Sequence, residues 1–478
     1  MFVSLADLDR HATERGMDIA LASLGREWSF AELKATVDAV AIRLRREGIR
    51  PRDVVGIDLP SALEWIVDLA LLRLAVRSLS LRGVPQLGGL ALNALLTSPS
   101  GRVELAPIVL QVDELWMSSA VSRASGVVPA VEYPRHDSIF RLMLTSGTTG
   151  LPRAAAYSVS ALERRRDGLS RYWSDGRAEL NFMPLSTTGG LHTAIANLQH
   201  GQAHLAVDFI NETTMRFAVT RGVRVLCGSP AQIASALEVL AGAGLDLPDL
   251  EEVRMAGATP SATLLRLIAD RLNVPVRSVY GSTEGGGVTA RMLRASDNLA
   301  DVGPCLPGLE LQVVDDAGEP VPVGTEGHVR YRGPGMTSGY FENGAISAFR
   351  RGWFEPGDVG MLTPGGSLVL AGRTAEIINL AGRKVNPTVV DTLALQFAGV
   401  LDAAAFGLER ENGIAELGLA VVAKTDCDLR ALDQLLRARL TSGYPMTFWR
   451  VAEIPRNRMG KAERAALAKA FARTLAED

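Results

Sequence analysis

The chain has little of what staples a fold or holds a metal. Its three cysteines, Cys227, Cys305 and Cys427, stand far apart. They form no disulfide framework and no metal-ligand spacing, which suits a reducing, cytoplasmic setting. The six histidines suggest no zinc cluster. There is no surplus of one charge: 50 basic against 53 acidic side chains give a net −3. A basic surface for nucleic acid or an anionic membrane is therefore not expected. No run nears the ~18 apolar residues that cross a bilayer. The first ten residues carry charge and no apolar h-region, so no secretory signal is expected. No internal repeat or low-complexity tract is evident. No Gly-Lys-Ser/Thr follows a glycine-rich loop, which removes the Walker A reading, and no kinase loop set is present.

What is present is ordinary for a globular protein: 47% hydrophobic and 22% charged residues in 478, enough for two or more cores. Residues 30–47 place Phe30, Leu33, Val37, Val40, Ala41 and Leu44 on one helical face, with Gly48 suited to the C′ position. Residues 54–59 read as a buried strand and 60–74 as a second helix. The β/α rhythm recurs at 178–183 with 190–200, at 223–226 with 230–241, and at 253–256 with 260–272. Such alternation indicates layered α/β sheets. From about 300 to 371 short strands with Gly and Pro turns suggest a small β subdomain, clearest at 309–314, 327–332 and 367–370. Residues 376–478 restart a mixed pattern and end in an Ala-rich helix at about 462–475. The expected architecture is a large N-terminal domain over 1–371, a hinge at 372–375, and a small α+β domain over 376–478. The triplet Arg164-Arg165-Arg166 reads most simply as a solvated helix face.

The most informative segment follows an apolar stretch, Ile139 to Leu144: Thr145-Ser146-Gly147-Thr148-Thr149-Gly150-Leu151-Pro152-Arg153. Glycine allows the backbone angles that turn successive N–H groups toward one anion. The hydroxyls add donors and Arg153 adds a cation. Read alone, the segment also fits a hairpin tip rich in turn residues.

Further motifs follow in order: Tyr280-Gly281-Ser282-Thr283-Glu284, Pro356-Gly357-Asp358, Gly372-Arg373, and Pro455-Arg456-Asn457-Arg458-Met459-Gly460-Lys461. Together they resemble the adenylate-forming superfamily of acyl- and aryl-CoA synthetases, peptide-synthetase adenylation domains and luciferases. Trp28-Ser29-Phe30-Ala31-Glu32-Leu33 resembles an N-terminal element of that family, so the likeness extends over the whole chain.

The resemblance implies ATP-dependent activation of a carboxylic acid to an acyl-AMP, with Mg²⁺, followed by transfer to a thiol. The thiol would belong to coenzyme A or to the phosphopantetheine arm of a carrier protein. By motif, residues 145–150 and Arg153 would bind the β- and γ-phosphates, and Glu284 would hold Mg²⁺. Thr283 would donate to the α-phosphate. Tyr280 would lie against the adenine, with Gly257, Ala258 and Thr259 opposite. Asp358 would accept the ribose hydroxyls and Arg373 would help from the hinge. Lys461 would reach the carboxylate and α-phosphate when a mobile C-terminal lid closes. The acid pocket would draw on Ser186, Thr187, Gly190, Ser229, Gly281 and Gly285-Gly286-Gly287.

The chain departs from the family's pattern at five places. Arg153 replaces lysine, and a guanidinium also binds phosphate. Thr187 stands in the gate segment Pro184-Leu185-Ser186-Thr187-Thr188-Gly189-Gly190-Leu191 where the family has histidine, or aspartate for amino acids. An uncharged Thr187 disfavours an α-ammonium. Ala375 replaces the usual charged hinge pivot, and Asn379 stands where lysine is frequent. Ala381-Gly382 keeps one glycine of the loop beside which pantetheine passes. The expectation is a free-standing acid–thiol ligase. Its alternatives are an amino-acid-adenylating enzyme, an ADP-forming phosphoryl transferase, and a binding protein of the same fold without turnover.

Overall fold

A computed structural model describes every residue except 1–2, 83–86, 88, 100, 102–104, 123–136, 146–151, 170–171, 343–344, 348, 350–351, 374–377, 381–382, 386, 410–414, 426, 440–445, 457–461 and 478. Ser146, Gly147, Thr148, Thr149, Gly150, Ala375, Ala381, Gly382 and Lys461 thus lie outside the described residues.

The chain folds as layered α/β sheets with a smaller C-terminal domain, as its sequence pattern predicts. Among the described residues the first sheet has eight strands. Its centre is parallel, in the order Ile139–Thr145, Arg77–Ser80, Val54–Asp58, Ala94–Thr97, Ile108–Gln111. Parallel neighbours need crossovers; helix Ser61–Arg73 is the one between Val54–Asp58 and Arg77–Ser80, and helix Phe30–Arg46 leads into the first strand of this sheet in sequence. Helix Phe30–Arg46 starts at a capping box, Ser29 with Glu32, and is followed by Gly48 at φ +98°. Helix Ser61–Arg73 is buried on every side. That explains its continuous apolar sequence, and Asp68 and Glu64 inside it are answered by the buried Arg141. On the other side of Ile139–Thr145 the sheet turns antiparallel through Arg153–Ser158 and Gly339–Glu342. Thr145 and Arg153, on either side of the Thr/Gly-rich segment in sequence, stand opposite each other on these antiparallel strands.

The second sheet runs Gly286–Leu293, Val276–Ser282, Glu252–Ala256, Val225–Gly228, Glu179–Asn181 and is parallel except at its first strand. Helices Pro230–Ala243 and Ala262–Leu272 cover its core. The strand expected at 178–183 contracts to three residues, and the helix expected from Pro260 begins at Ala262 behind a Ser261 cap. The third sheet is the antiparallel β subdomain: Asp301–Pro304, Ser367–Arg373, Asp358–Leu362, Gly327–Arg332, Glu310–Val314. Its strand Ser367–Arg373 runs through Gly372 and Arg373, so those two residues pair within the sheet. Among the described residues the C-terminal domain holds a two-stranded sheet, Ile378–Leu380 with Arg383–Val385, and a three-stranded sheet, Val400–Glu409, Ala415–Ala423 and Met446–Arg450, with helices Pro387–Ala394, Leu429–Arg439 and Arg464–Glu477. The last helix starts two residues later than its sequence suggests.

Candidate active site

Three sheets meet around a cavity of about 410 Å³. The paired strands Ile139–Thr145 and Arg153–Ser158 of the first sheet contribute Thr145 and Arg153; the Ser282-Thr283-Glu284 turn of the second sheet and Pro356 and Arg373 of the third complete that side. Tertiary pairing brings these distant segments together. Ser282 pairs with Gly286 across an antiparallel turn, which projects Thr283 and Glu284 from the sheet edge. Gly286 makes the turn at φ +71°, an angle that L side chains resist.

Asp358 and Arg373 are direct cross-strand partners. Arg373 Nε lies 3.0 Å from Asp358 Oδ1, and the Tyr280 hydroxyl donates to Oδ2. Asp358 is buried and keeps acceptor capacity on both oxygens. Tyr280 packs into the core of the β subdomain and does not line the cavity. Its phenol is pushed well up, by burial first and then by Asp358.

Glu284 is buried, and the Tyr340 hydroxyl donates to its Oε1 at 2.7 Å. The Arg153 guanidinium lies over the Tyr340 ring, 3.6 Å from its centroid. Burial and the Glu284 carboxylate both raise the Tyr340 phenol, so it stays a neutral donor. No cluster of three or more His, Cys, Asp and Glu that could hold a metal occurs among the described residues. Glu284 alone fits a hard divalent ion only in one way: the remaining ligands would come from phosphate oxygens and water, as Mg²⁺ accepts. His200 and His204, four apart in sequence, are separated by the helix end at Gly201 (φ +64°) and form no shared face.

The opposite wall consists of Trp173, Met183, Thr187, Thr188, Gly189 and His192. Thr187 is the N-cap of helix Thr188–His200. Its oxygen accepts from the Gly190 N–H at 3.1 Å and its hydroxyl donates to the Pro184 carbonyl at 2.8 Å. Gly257 (φ +92°), Gly281, Gly286 and Gly287 also face the cavity.

Several residues expected at the site stand elsewhere. Ser229 is fully buried in a capping box with Gln232 at the start of helix Pro230–Ala243, so its hydroxyl serves the helix. Gly190 faces the Pro184 carbonyl, where a Cβ would come within 2.2 Å. Gly285 lies against the Tyr331 ring. Ser186, Ala258, Thr259 and Asp358 do not line the cavity; Asp358 lies behind it, paired with Arg373, which does. In the other direction, Arg165 is not part of a solvated face: it is 5% exposed and lines the cavity. Its charge within an Arg triplet hid that role, and only its place at every third or fourth helical position toward the core hinted at it. Trp173, Met183, His192 and Tyr340 also escape motif reading, because no fixed spacing marks them.

The profile of a family described as AMP-binding enzyme matches residues 8–79 and 92–341. A 2-hydroxy-7-methoxy-5-methyl-1-naphthoate--CoA ligase of Streptomyces carzinostaticus is 27% identical over 93% of this chain and 89% of its own length. A medium/long-chain-fatty-acid--[acyl-carrier-protein] ligase of Mycobacterium tuberculosis is 28% identical over 69% of this chain and 66% of its own. ATP-bound MatB from Rhodopseudomonas palustris shares the fold with a TM-score of 0.82 at 22% identity, covering 95% of this chain and 96% of that one.

Proposed function

The chain belongs to the AMP-binding enzyme family, and from that premise we propose how its cavity works. The protein is an AMP-forming acid–thiol ligase. A carboxylate oxygen attacks the α-phosphorus of ATP and pyrophosphate leaves. A thiol then attacks the acyl carbon and AMP leaves. The observation that supports this assignment is the convergence of Thr145 and Arg153, Ser282 to Glu284, and Pro356 and Arg373, from three sheets, on one cavity.

In this reading Asp358 accepts the ribose hydroxyls, held in place by Arg373 and Tyr280. Arg153 is positioned by its stacking on Tyr340 to meet the phosphate tail. Glu284 would hold Mg²⁺, which would neutralise phosphate charge. Tyr340 fixes the Glu284 carboxylate while leaving its second oxygen for a ligand. Thr283 presents its hydroxyl toward the α-phosphate. Lys461 arrives from the C-terminal domain and bridges the acid and the phosphate as charge develops. The boundary near 372–375 is the pivot in this scheme. Trp173, Met183 and Val279 receive the body of the acid, and water is kept out by the same apolar wall. Thr187 spends its hydroxyl on its helix cap, so no side chain there pairs an α-ammonium, and simple acyl or aryl acids suit the site better than α-amino acids. The acceptor thiol is that of coenzyme A or of a carrier protein, the two acceptors named for its relatives.

The test is acid-dependent exchange of labelled pyrophosphate into ATP across a panel of fatty, aryl and amino acids, with product analysis. Exchange and AMP formation support the proposal. ADP release would replace it with phosphoryl transfer, and silence across the panel would leave a binding protein without turnover. A clear preference for an α-amino acid would show that another carboxylate pairs the ammonium.

A further inference from the structure

Four arginines are buried among the described residues: Arg73, Arg141, Arg165 and Arg254. Arg73 pairs with Asp9 and Asp38, Arg141 with Asp68 and Glu64, and Arg254 with Asp175, Glu179 and Glu252. Arg165 has no carboxylate partner among the described residues. Its Nη2 donates to the Tyr157 hydroxyl at 3.0 Å, its guanidinium lies 4.7 Å from the centroid of that ring, and its Nε is buried without an acceptor. A buried cation without an anion is costly. The fold nevertheless provides a seat for it. A Cβ at Gly286 would lie 2.5 Å from Arg165 Cζ, and one at Gly335 would lie 2.7 Å from its backbone.

A second orphan lines the same cavity. His192, 6% exposed, has Nε2 buried and unpartnered. Burial, followed by the charge of Arg165, pushes this imidazole down to about 3, so it is a neutral hydrogen-bonding group. Both groups line the cavity that Trp173 and Met183 also line.

We propose that the acid carries a second anionic group, a carboxylate or its equivalent, away from the carboxyl that is activated, and that Arg165 with His192 binds it. The proposal rests on reading the cavity as the acid's site. The bound anion supplies the partner that Arg165 lacks, and the guanidinium fork can take both oxygens.

The test uses matched acids that differ only in the far group: benzene-1,4-dicarboxylate against 4-methylbenzoate, and hexanedioate against hexanoate. Two readouts are taken on the full-length enzyme: pyrophosphate exchange, and equilibrium dialysis of each labelled acid without ATP. The wild type is expected to favour the dicarboxylate of at least one pair by about tenfold or more, because a site built for a polar group rejects the analogue that lacks it. Arg165→Met should lose about a hundredfold or more on that dicarboxylate and keep the methyl acid within about threefold. Arg165→Lys should recover part of the preference. Preference for the methyl acids in both pairs, or failure of both dicarboxylates to bind or exchange, would overturn the proposal. Equal loss on every acid in Arg165→Met would also overturn it, placing Arg165 at the reacting carboxylate or the phosphates. If neither variant folds, the wild-type preference decides. Arg165-dependent binding without exchange would count against acid activation and leave this inference standing. Exchange of methyl acids with no dicarboxylate preference would do the reverse.

Discussion

Glu284 has a hydroxyl on one oxygen and no cation paired to it among the described residues. A neutral amide at that position keeps the hydrogen bond and loses the charge. Glu284→Gln is expected to cut exchange activity and to raise the Mg²⁺ concentration needed for half-maximal rate. A metal titration of wild type and variant checks this, and identical curves would remove Glu284 from the metal site. His204 illustrates a purely structural titration. It is buried, its ring centroid is 6.1 Å from that of Trp65, and burial alone pushes its pKa down to about 4. The unfolded chain takes the proton first, at about 6.5. Stability from this site is therefore complete above about pH 6.5 and falls as the pH drops toward 4, by up to ~3 kcal/mol. Thermal denaturation between pH 7 and 4 should show a flatter decline in His204→Phe than in the wild type.

Helix Thr188–His200 and the second sheet each depend on one side chain for their place. Thr187 satisfies an N–H of the helix whose first turn lines the cavity. Thr187→Ala should lower stability by about 1 kcal/mol, the usual value of such a cap, and Thr187→Ser by less; urea denaturation measures both. The second sheet is tied by the ion-pair network around Arg254, which reaches Glu252 on its own strand, Glu179 on the edge strand and Asp175 before it; Arg277 on the next strand joins through Glu252. Burial raises Glu179 to about 7 despite Arg254, so removing that cation leaves buried acids uncompensated. Arg254→Met is expected to cost ~3–5 kcal/mol. A loss under about 1 kcal/mol in denaturant melts would mean that water enters and replaces the guanidinium.

The hydrophobic clusters divide at the same place as the motifs. Five contain residues up to Leu370 only, and the other two, around Leu419 and Phe406, contain residues from Ile378 onward. Separate cores unfold separately unless their interface is large. Calorimetry should resolve two transitions, with ATP raising the one that belongs to the larger domain. The same division motivates a kinetic prediction for Lys461. Lys461→Ala should lose adenylation by ~10²–10³, the usual loss for a preorganised transition-state donor, while ATP binding changes little. Thiol transfer from supplied acyl-AMP should be largely retained. Measuring both half-reactions on one purified variant checks this, and equal loss in both would mean that the C-terminal domain does not alternate.

By themselves, residue types in order determined the α/β class, the small C-terminal domain and the chemistry of the motifs. Periodicity and capping are local, as Ser29 with Glu32 and Gly48 show, and they survive in the folded chain almost unchanged. Glycines and hydroxyls also stand close together in sequence at 145–153, so a candidate phosphate-binding segment is legible there. Tertiary structure alone decided which of those residues share a space. Asp358 and Arg373 become one unit because their strands pair in register. Ser229 and Ser186 are both expected in the pocket by motif, yet Ser229 is consumed by a helix cap and neither lines the cavity. Tyr280 turned toward Asp358 because the β subdomain packs over it. Arg165 is the clearest case. Within an Arg-Arg-Arg run it resembles a solvated charge. Burial beside Tyr157, Gly286 and Gly335 makes it a cation inside the cavity, because desolvation depends on what surrounds a side chain in space and not on its neighbours along the chain.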